Sequence, residues 1–159
     1  MPLDLLKQDP LIATNFFLEI DGAVITTLSE VSGLDLEVEV AEVVQRTASG
    51  QLVHHKTLSK PKWTGELTVK RTAPLDAASD PLWTWFMTIR DKGMSADNRA
   101  GERKNGSVVI YDTTMTEIAR WNWFSGWPSK ISSDSMTVSS NDPVSESVTI
   151  QYEKLERKK

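Results

Sequence analysis

Residues 119–130 read Ala119-Arg120-Trp121-Asn122-Trp123-Phe124-Ser125-Gly126-Trp127-Pro128-Ser129-Lys130, and three of the chain's six tryptophans fall within them. Upstream, Ser107-Val108-Val109-Ile110-Tyr111 has the β-branched and aromatic character of a strand, and Asp112-Thr113-Thr114 supplies turn formers. A second strand, Glu117 to Phe124, runs into the Gly126-Trp127-Pro128 corner, so the pattern is a hairpin. Side chains alternate along a strand, so Trp121 and Phe124 cannot share a face if it is regular. Either the strand is buried on both sides or a bulge lies near Trp123. Rings this large, each burying roughly 150–250 Å², are expected to form an aromatic core at the hairpin's end, with Trp121 and Trp127 in it.

Outward from this hairpin the same alternation recurs. Asn15 to Ile20 is a strand, Asp21-Gly22 a hairpin turn signal, Ala23 to Leu28 the return, and Ser29 to Gly33 a corner. Leu34, Leu36, Val38 and Val40 then share one face while Asp35, Glu37 and Glu39 occupy the other. That acidic stripe fits either a solvated sheet face or a surface bordering a pore or subunit contact. Between Val44 and Lys62 the alternation lapses, and the segment is expected to be a long irregular loop carrying Lys56, Lys60 and Lys62. So long a connection inside a compact domain is unusual and often functional. Trp63 to Arg71 resumes as a strand, with Trp63 in step with Leu67 and Val69 and therefore expected in the core.

One helix is predicted. Asp80 is suited to cap it, with Pro81 at its first position. Leu82, Trp85, Phe86 and Ile89 recur at helical spacing, placing Trp85 and Phe86 in the core, and Gly93 stops it. Trp83 lies on the opposite helical face and is the best candidate among the tryptophans for an intersubunit contact. Met94 to Lys104 is loop-like. Ser129 to Pro143 is a polar connection with a short strand expected near Met136-Thr137-Val138; Val144 to Leu155 closes the sheet, and residues 156–159 form a solvated tail. The whole makes a mainly β protein: a sandwich or barrel of about seven or eight strands with one flanking helix.

At 159 residues, the chain is expected to be a single domain, 1–159, opened by an apolar N-terminal arm over residues 1–13. A net charge of −4 gives no general attraction to nucleic acid or anionic membrane. The absence of Cys excludes disulfides, thiolate nucleophiles and Cys-ligated zinc. The first ten residues lack the basic and apolar regions of a signal peptide, and no apolar run approaches the ~20 residues of a membrane span, so neither signal peptide nor membrane anchor is expected. His54 and His55 are the only histidines, and neighbours on a strand point to opposite faces, which makes them poor joint ligands for one metal. No nucleophile elbow, Walker loop, dinucleotide fingerprint or zincin motif occurs. No catalytic residue, metal or cofactor is therefore expected. Two binding classes remain: a carbohydrate-binding sandwich that stacks exposed Trp rings on sugars, and a self-assembling structural subunit whose arm, loop and sheet edges are covered by neighbours.

Several short motifs, in order, favour the second. Asn15-Phe16-Phe17-Leu18-Glu19-Ile20-Asp21-Gly22, Ser29-Glu30-Val31-Ser32-Gly33-Leu34, Leu58-Ser59-Lys60-Pro61-Lys62 and Leu82-Trp83-Thr84-Trp85-Phe86 come first. Arg103-Lys104-Asn105-Gly106-Ser107, Ala119-Arg120-Trp121-Asn122 and Trp127-Pro128-Ser129-Lys130 follow. Together they resemble the T4-like tail tube family of contractile phage tails and phage-tail-like contractile injection systems, over essentially the whole chain. The resemblance implies a virion or injection-particle component, made in the cytoplasm: a tube protomer forming stacked homohexameric rings around a lumen for cargo. It implies partners in the sheath protein and the baseplate and tube-terminator proteins. It also implies that residues 44–62 form an extended inter-ring loop. From the charges of that segment, Lys56, Lys60 and Lys62 are expected to meet acidic groups such as Glu37 or Glu39 of the next ring. A baseplate-proximal tube initiator is a related possibility.

Overall fold

The computed structural model describes residues 15–62, 65–93, 102–139 and 141–159. In chain order these form β1 (Asn15–Ile20), β2 (Ala23–Leu28), β3 (Glu30–Ser32), β4 (Glu37–Arg46), β5 (Leu52–Lys62), β6 (Glu66–Thr72), the helix α1 (Pro81–Lys92), β7 (Lys104–Tyr111), β8 (Glu117–Ser133), β9 (Ser145–Gln151) and β10 (Lys154–Arg157). All strand pairings are antiparallel. The main sheet runs β2-β1-β7-β8-β9-β6-β3, with β10 on the remaining edge of β8's first half. β2 and β3 are separated only by Ser29, whose amide donates to the Lys70 carbonyl at 2.8 Å, so the path of strands returns on itself as a barrel. The core inside it includes Leu18, Leu67, Val69, Leu82, Val148 and Ile150, all fully buried.

The long strand β8 makes this closure. Its first half pairs with β7 and its second half with β9, so one strand serves two walls. The turn between walls is a bulge: Lys104 faces Gly126 and Gly106 faces Trp123, leaving Phe124 and Ser125 opposite Asn105 alone. Ser125 has φ 53°, and its amide is held by Asn105 Oδ1 at 2.9 Å. The bulge resolves the conflict between Trp121 and Phe124, since the alternation is broken after Trp123. Trp123 is fully buried at this point. Its ring requires glycine at both neighbours: a Cβ on Gly106 would come within 2.1 Å of Cζ2, and one on Gly126 within 2.6 Å of Cζ3. The helix covers the same spot, with Trp85 stacked on Trp123 at 6.5 Å between centroids.

The helix forms as its sequence requires. Asp80 accepts from the Trp83 amide at 3.0 Å, Pro81 opens the first turn, and Gly93, at φ 66°, donates to the Ile89 carbonyl at 2.8 Å. Elsewhere the structure departs from expectation. The segment 44–62 is not an irregular loop: most of it belongs to the β4–β5 hairpin, closed by a turn at Thr47–Gln51. Its alternation was hidden because both faces are mixed and exposed. Residues 34–36 precede β4 rather than opening it. Met136 to Val138 is not a strand, and β8 instead continues to Ser133. The closing segment is two strands, and residues 156–159, exposed from Arg157 onward, are also held by backbone bonds: Glu156 and Arg157 lie in β10, and Lys158 N donates to the Arg120 carbonyl at 2.9 Å. Trp63 and the arm 1–13 lie outside the described residues.

Candidate functional site

Among the described residues, the fold leaves the β4–β5 arm uncovered. Its two strands pair only with each other and are exposed along nearly their whole length. With Val40 opposite Leu58, Glu42 opposite Lys56, Val44 opposite His54 and Arg46 opposite Leu52, one face interleaves aliphatic with charged and polar side chains. Val40 is 64% exposed and Leu58 77% exposed. A lone two-stranded hairpin is marginal in water, and exposed aliphatic side chains beside free strand edges invite pairing with another chain. The arm is thus built to be completed by a partner.

Its charges are arranged across the two strands. Glu37 lies opposite Lys62, with 3.4 Å between carboxylate and ammonium. Glu39 sits at the register shift facing the Ser59–Lys60 region. His54 Nδ1 and Glu42 Oε1 are 2.8 Å apart. Asp35 is exposed ahead of β4. Glu37 thus pairs with Lys62 within its own arm. The sequence missed this because it placed the two strands in different elements. His54 and His55 are adjacent on β5, and among the described residues no group of three or more His, Asp or Glu is placed to hold a metal ion.

A second cluster lies inside. Arg71 on β6 is 2% exposed, with Glu146, its register partner on β9, and Asp80 packed around it. Its guanidinium donates to Glu146 Oε1 from Nε at 2.8 Å and from Nη2 at 2.6 Å, and to Asp80 Oδ1 and Oδ2 at 2.8 and 2.7 Å. Trp83 Nε1 donates to Glu146 Oε2 at 3.2 Å. Burial opposes ionisation of Asp80, but the Arg71 guanidinium and the Trp83 and Leu82 amides outweigh it and hold the carboxyl below its ordinary value. Burial likewise works against the charge on Arg71, yet Asp80 and Glu146 raise its pKa. One cation thus serves two carboxylates, with the helix N-terminus supplying the remaining positive field. This cluster fixes α1 to the barrel wall.

The tryptophans divide between core and cover. Trp85 is buried, whereas Phe86, Trp121 and Trp127 are only partly so. Arg157 lies over Trp121 at 5.1 Å and Arg103 over Trp127 at 4.7 Å. Trp83 is half-buried, occupied by Glu146 through its indole and by Phe86 edge-to-face at 6.3 Å. Trp123, near which the sequence allowed a bulge but which it did not place among the principal core residues, is the ring at the centre. The signal for it was the pair of glycines three residues after it and opposite it, legible only once the register was known.

Residues 12–156 match the family model of the T4-like virus tail tube protein gp19. Among solved structures, the fold is similar to that in the baseplate of the anti-feeding prophage, with TM-score 0.71 at 12% identity over 95% of this chain and 97% of that one. It is also similar to a chain in the sheath/tube terminator of an extracellular contractile injection system, PVC, with TM-score 0.70 at 17% identity over 96% and 99%. A chain in the PVC sheath-tube complex gives TM-score 0.67 at 16% identity over 99% and 97%. No curated protein matches the sequence.

Proposed function

This chain belongs to the T4-like tail tube family, and from that premise we propose that it is the inner-tube subunit of a contractile phage-tail-like injection system. Six copies form a ring around a lumen, rings stack into a tube, and cargo passes along the bore. The sheath surrounds the tube, and baseplate and terminator proteins close its ends. The likeness to chains from baseplate, terminator and sheath-tube assemblies supports this set of partners. The observation that carries the proposal is the β4–β5 arm, a long hairpin exposed on both faces and attached to a closed barrel. A heterologous contact repeated about a closing rotation gives a ring, and one repeated along an axis gives a filament. Such an arm has no evident use in a monomer.

The protein's work in this role is mechanical: stiffness, bore and passage, without bond chemistry. A sugar-binding platform is disfavoured by the fate of the tryptophans, since those described are buried, covered by arginine or bonded to Glu146. Native mass spectrometry tests the ring. Species at six copies of the 17.8 kDa chain, or multiples of six, are expected; a monomer at every concentration, or a closed ring of another number, refutes the hexamer.

A further inference from the structure

The apolar core is left open beside the start of β1. Phe16 pairs with Ile110 on β7, and Val108 pairs with Trp121 on β8, so these four side chains share one wall. Val31 on β3 and Leu34 just beyond it stand on the other side of a crevice of about 150 Å³. Val108 and Ile110 are its buried floor, whereas Phe16, Val31, Leu34 and Trp121 are only partly buried. An enclosed apolar space of about 150 Å³ admits a benzene-sized guest, so this crevice has room for one branched aliphatic side chain.

The chain supplies such a side chain close by. β1 starts at Asn15, one residue before Phe16, so residues 1–14 join the fold at the edge of the crevice. That stretch holds Leu3, Leu5, Leu6, Leu11 and Ile12. Alternation carried back from Phe16 gives Ile12 the same side, and the four residue steps between them span at most ~13 Å. A tether this short keeps Ile12 at a high effective concentration beside the crevice. Charge agrees with the placement. Arg157 lies over the Trp121 ring at 5.1 Å, and residues 1–14 carry Asp4 and Asp9 against the single Lys7.

We infer that Ile12 seats in this crevice of its own copy, so that the segment before β1 closes the barrel's core, with Asp9 reaching the Arg157 guanidinium. Ile12 then packs between Val31 and Leu34 on one side and Phe16 and Trp121 on the other. The closure belongs to the single protomer, precedes any assembly, and does not rest on the tube reading.

The test uses the full chain, kept dilute. The sequence contains no cysteine, so introduced pairs report without background. With oxidised glutathione, Ile12→Cys/Leu34→Cys protein should form a disulfide within one chain. Thr27 lies opposite Phe17, on the other face of the β1–β2 pair, and Ile12→Cys/Thr27→Cys protein should close roughly tenfold more slowly or worse. An equal mixture of the single variants Ile12→Cys and Leu34→Cys should give no linked dimers. Ile12→Asp should lower melting by roughly 3–12 °C, the worth of one buried aliphatic side chain in a chain of this size. Equal closing rates for the two double variants overturn the inference, as does an Ile12→Asp protein that melts like the unaltered chain. Linked dimers from the mixed singles, in place of a link within one chain, would assign the crevice to a second copy's leading segment and overturn it as well.

Discussion

Replacing Arg71 with Met keeps most of the side-chain volume on β6 and removes the one cation between Asp80 and Glu146. The two carboxylates, with side chains 9% and 3% exposed, then face each other without a counter-charge. Breaking a buried ion pair from one side typically costs about 3–5 kcal/mol, because the remaining charge is stranded. That is a large part of the ~5–15 kcal/mol by which domains are stable. At about 2–4 °C per kcal/mol for a chain of this size, melting should fall by roughly 6–20 °C. The pH dependence should also change sign. In the wild type, Asp80 is held below its ordinary value of 3.8, so its contribution is present above that pH and is lost as pH falls through the folded-state value. In Arg71→Met, burial is no longer outweighed, the folded carboxyl is harder to ionise than the unfolded one, and stability is lost as pH rises instead. Urea denaturation of both proteins at pH 7, 5 and 4 measures this. Adding Glu146→Gln to Arg71→Met should restore part of the loss. An Arg71→Met protein that melts within 2 °C of wild type, or that weakens in acid in parallel with it, would show that the cluster does not hold the helix to the wall.

Gly106→Ala should yield insoluble or strongly destabilised protein, since the added Cβ meets Trp123 and the Glu19 carbonyl at 2.1 and 2.5 Å. Gly50→Ala, at φ 83° on the arm's tip with open space around it, should cost only about 1 kcal/mol, which thermal melts of the two would separate. Trp85→Ala removes the ring stacked on Trp123 and should cost roughly 3–5 kcal/mol in chemical denaturation. Deleting residues 40–58 and joining the ends with a short Gly-Ser linker should leave melting nearly unchanged, because the arm's strands pair only with each other, while tube elongation disappears.

The barrel and its helix were legible because both rest on local signals. Alternation marked β1, β2, β6 and β9, and the Asp80-Pro81 start with Gly93 at the end marked α1. What was lost depended on partners. β4 and β5 have no buried face in the protomer, and beyond the alternation at the start of β4 the end of that strand and all of β5 read as a loop. Glu156 and Arg157 look solvated by composition but are tied by backbone bonds to β8, which composition does not encode. The cluster of Arg71, Asp80 and Glu146 joins residues 75 positions apart, and Asp80 was recognisable only as a helix cap. A bulge near Trp123 was one of the two readings the sequence allowed, and the ring's central position depends on Gly106 across the register. The acidic stripe was read as a single-strand feature, whereas Glu37 is one half of a cross-strand pair with Lys62.

Negative-stain electron microscopy of the purified chain tests the central claim most directly. Rings with a central hole, stacking into unbranched tubes of constant diameter as concentration rises, are the predicted result. Dispersed particles of one chain each, with no rings or tubes at any concentration or salt, would contradict it.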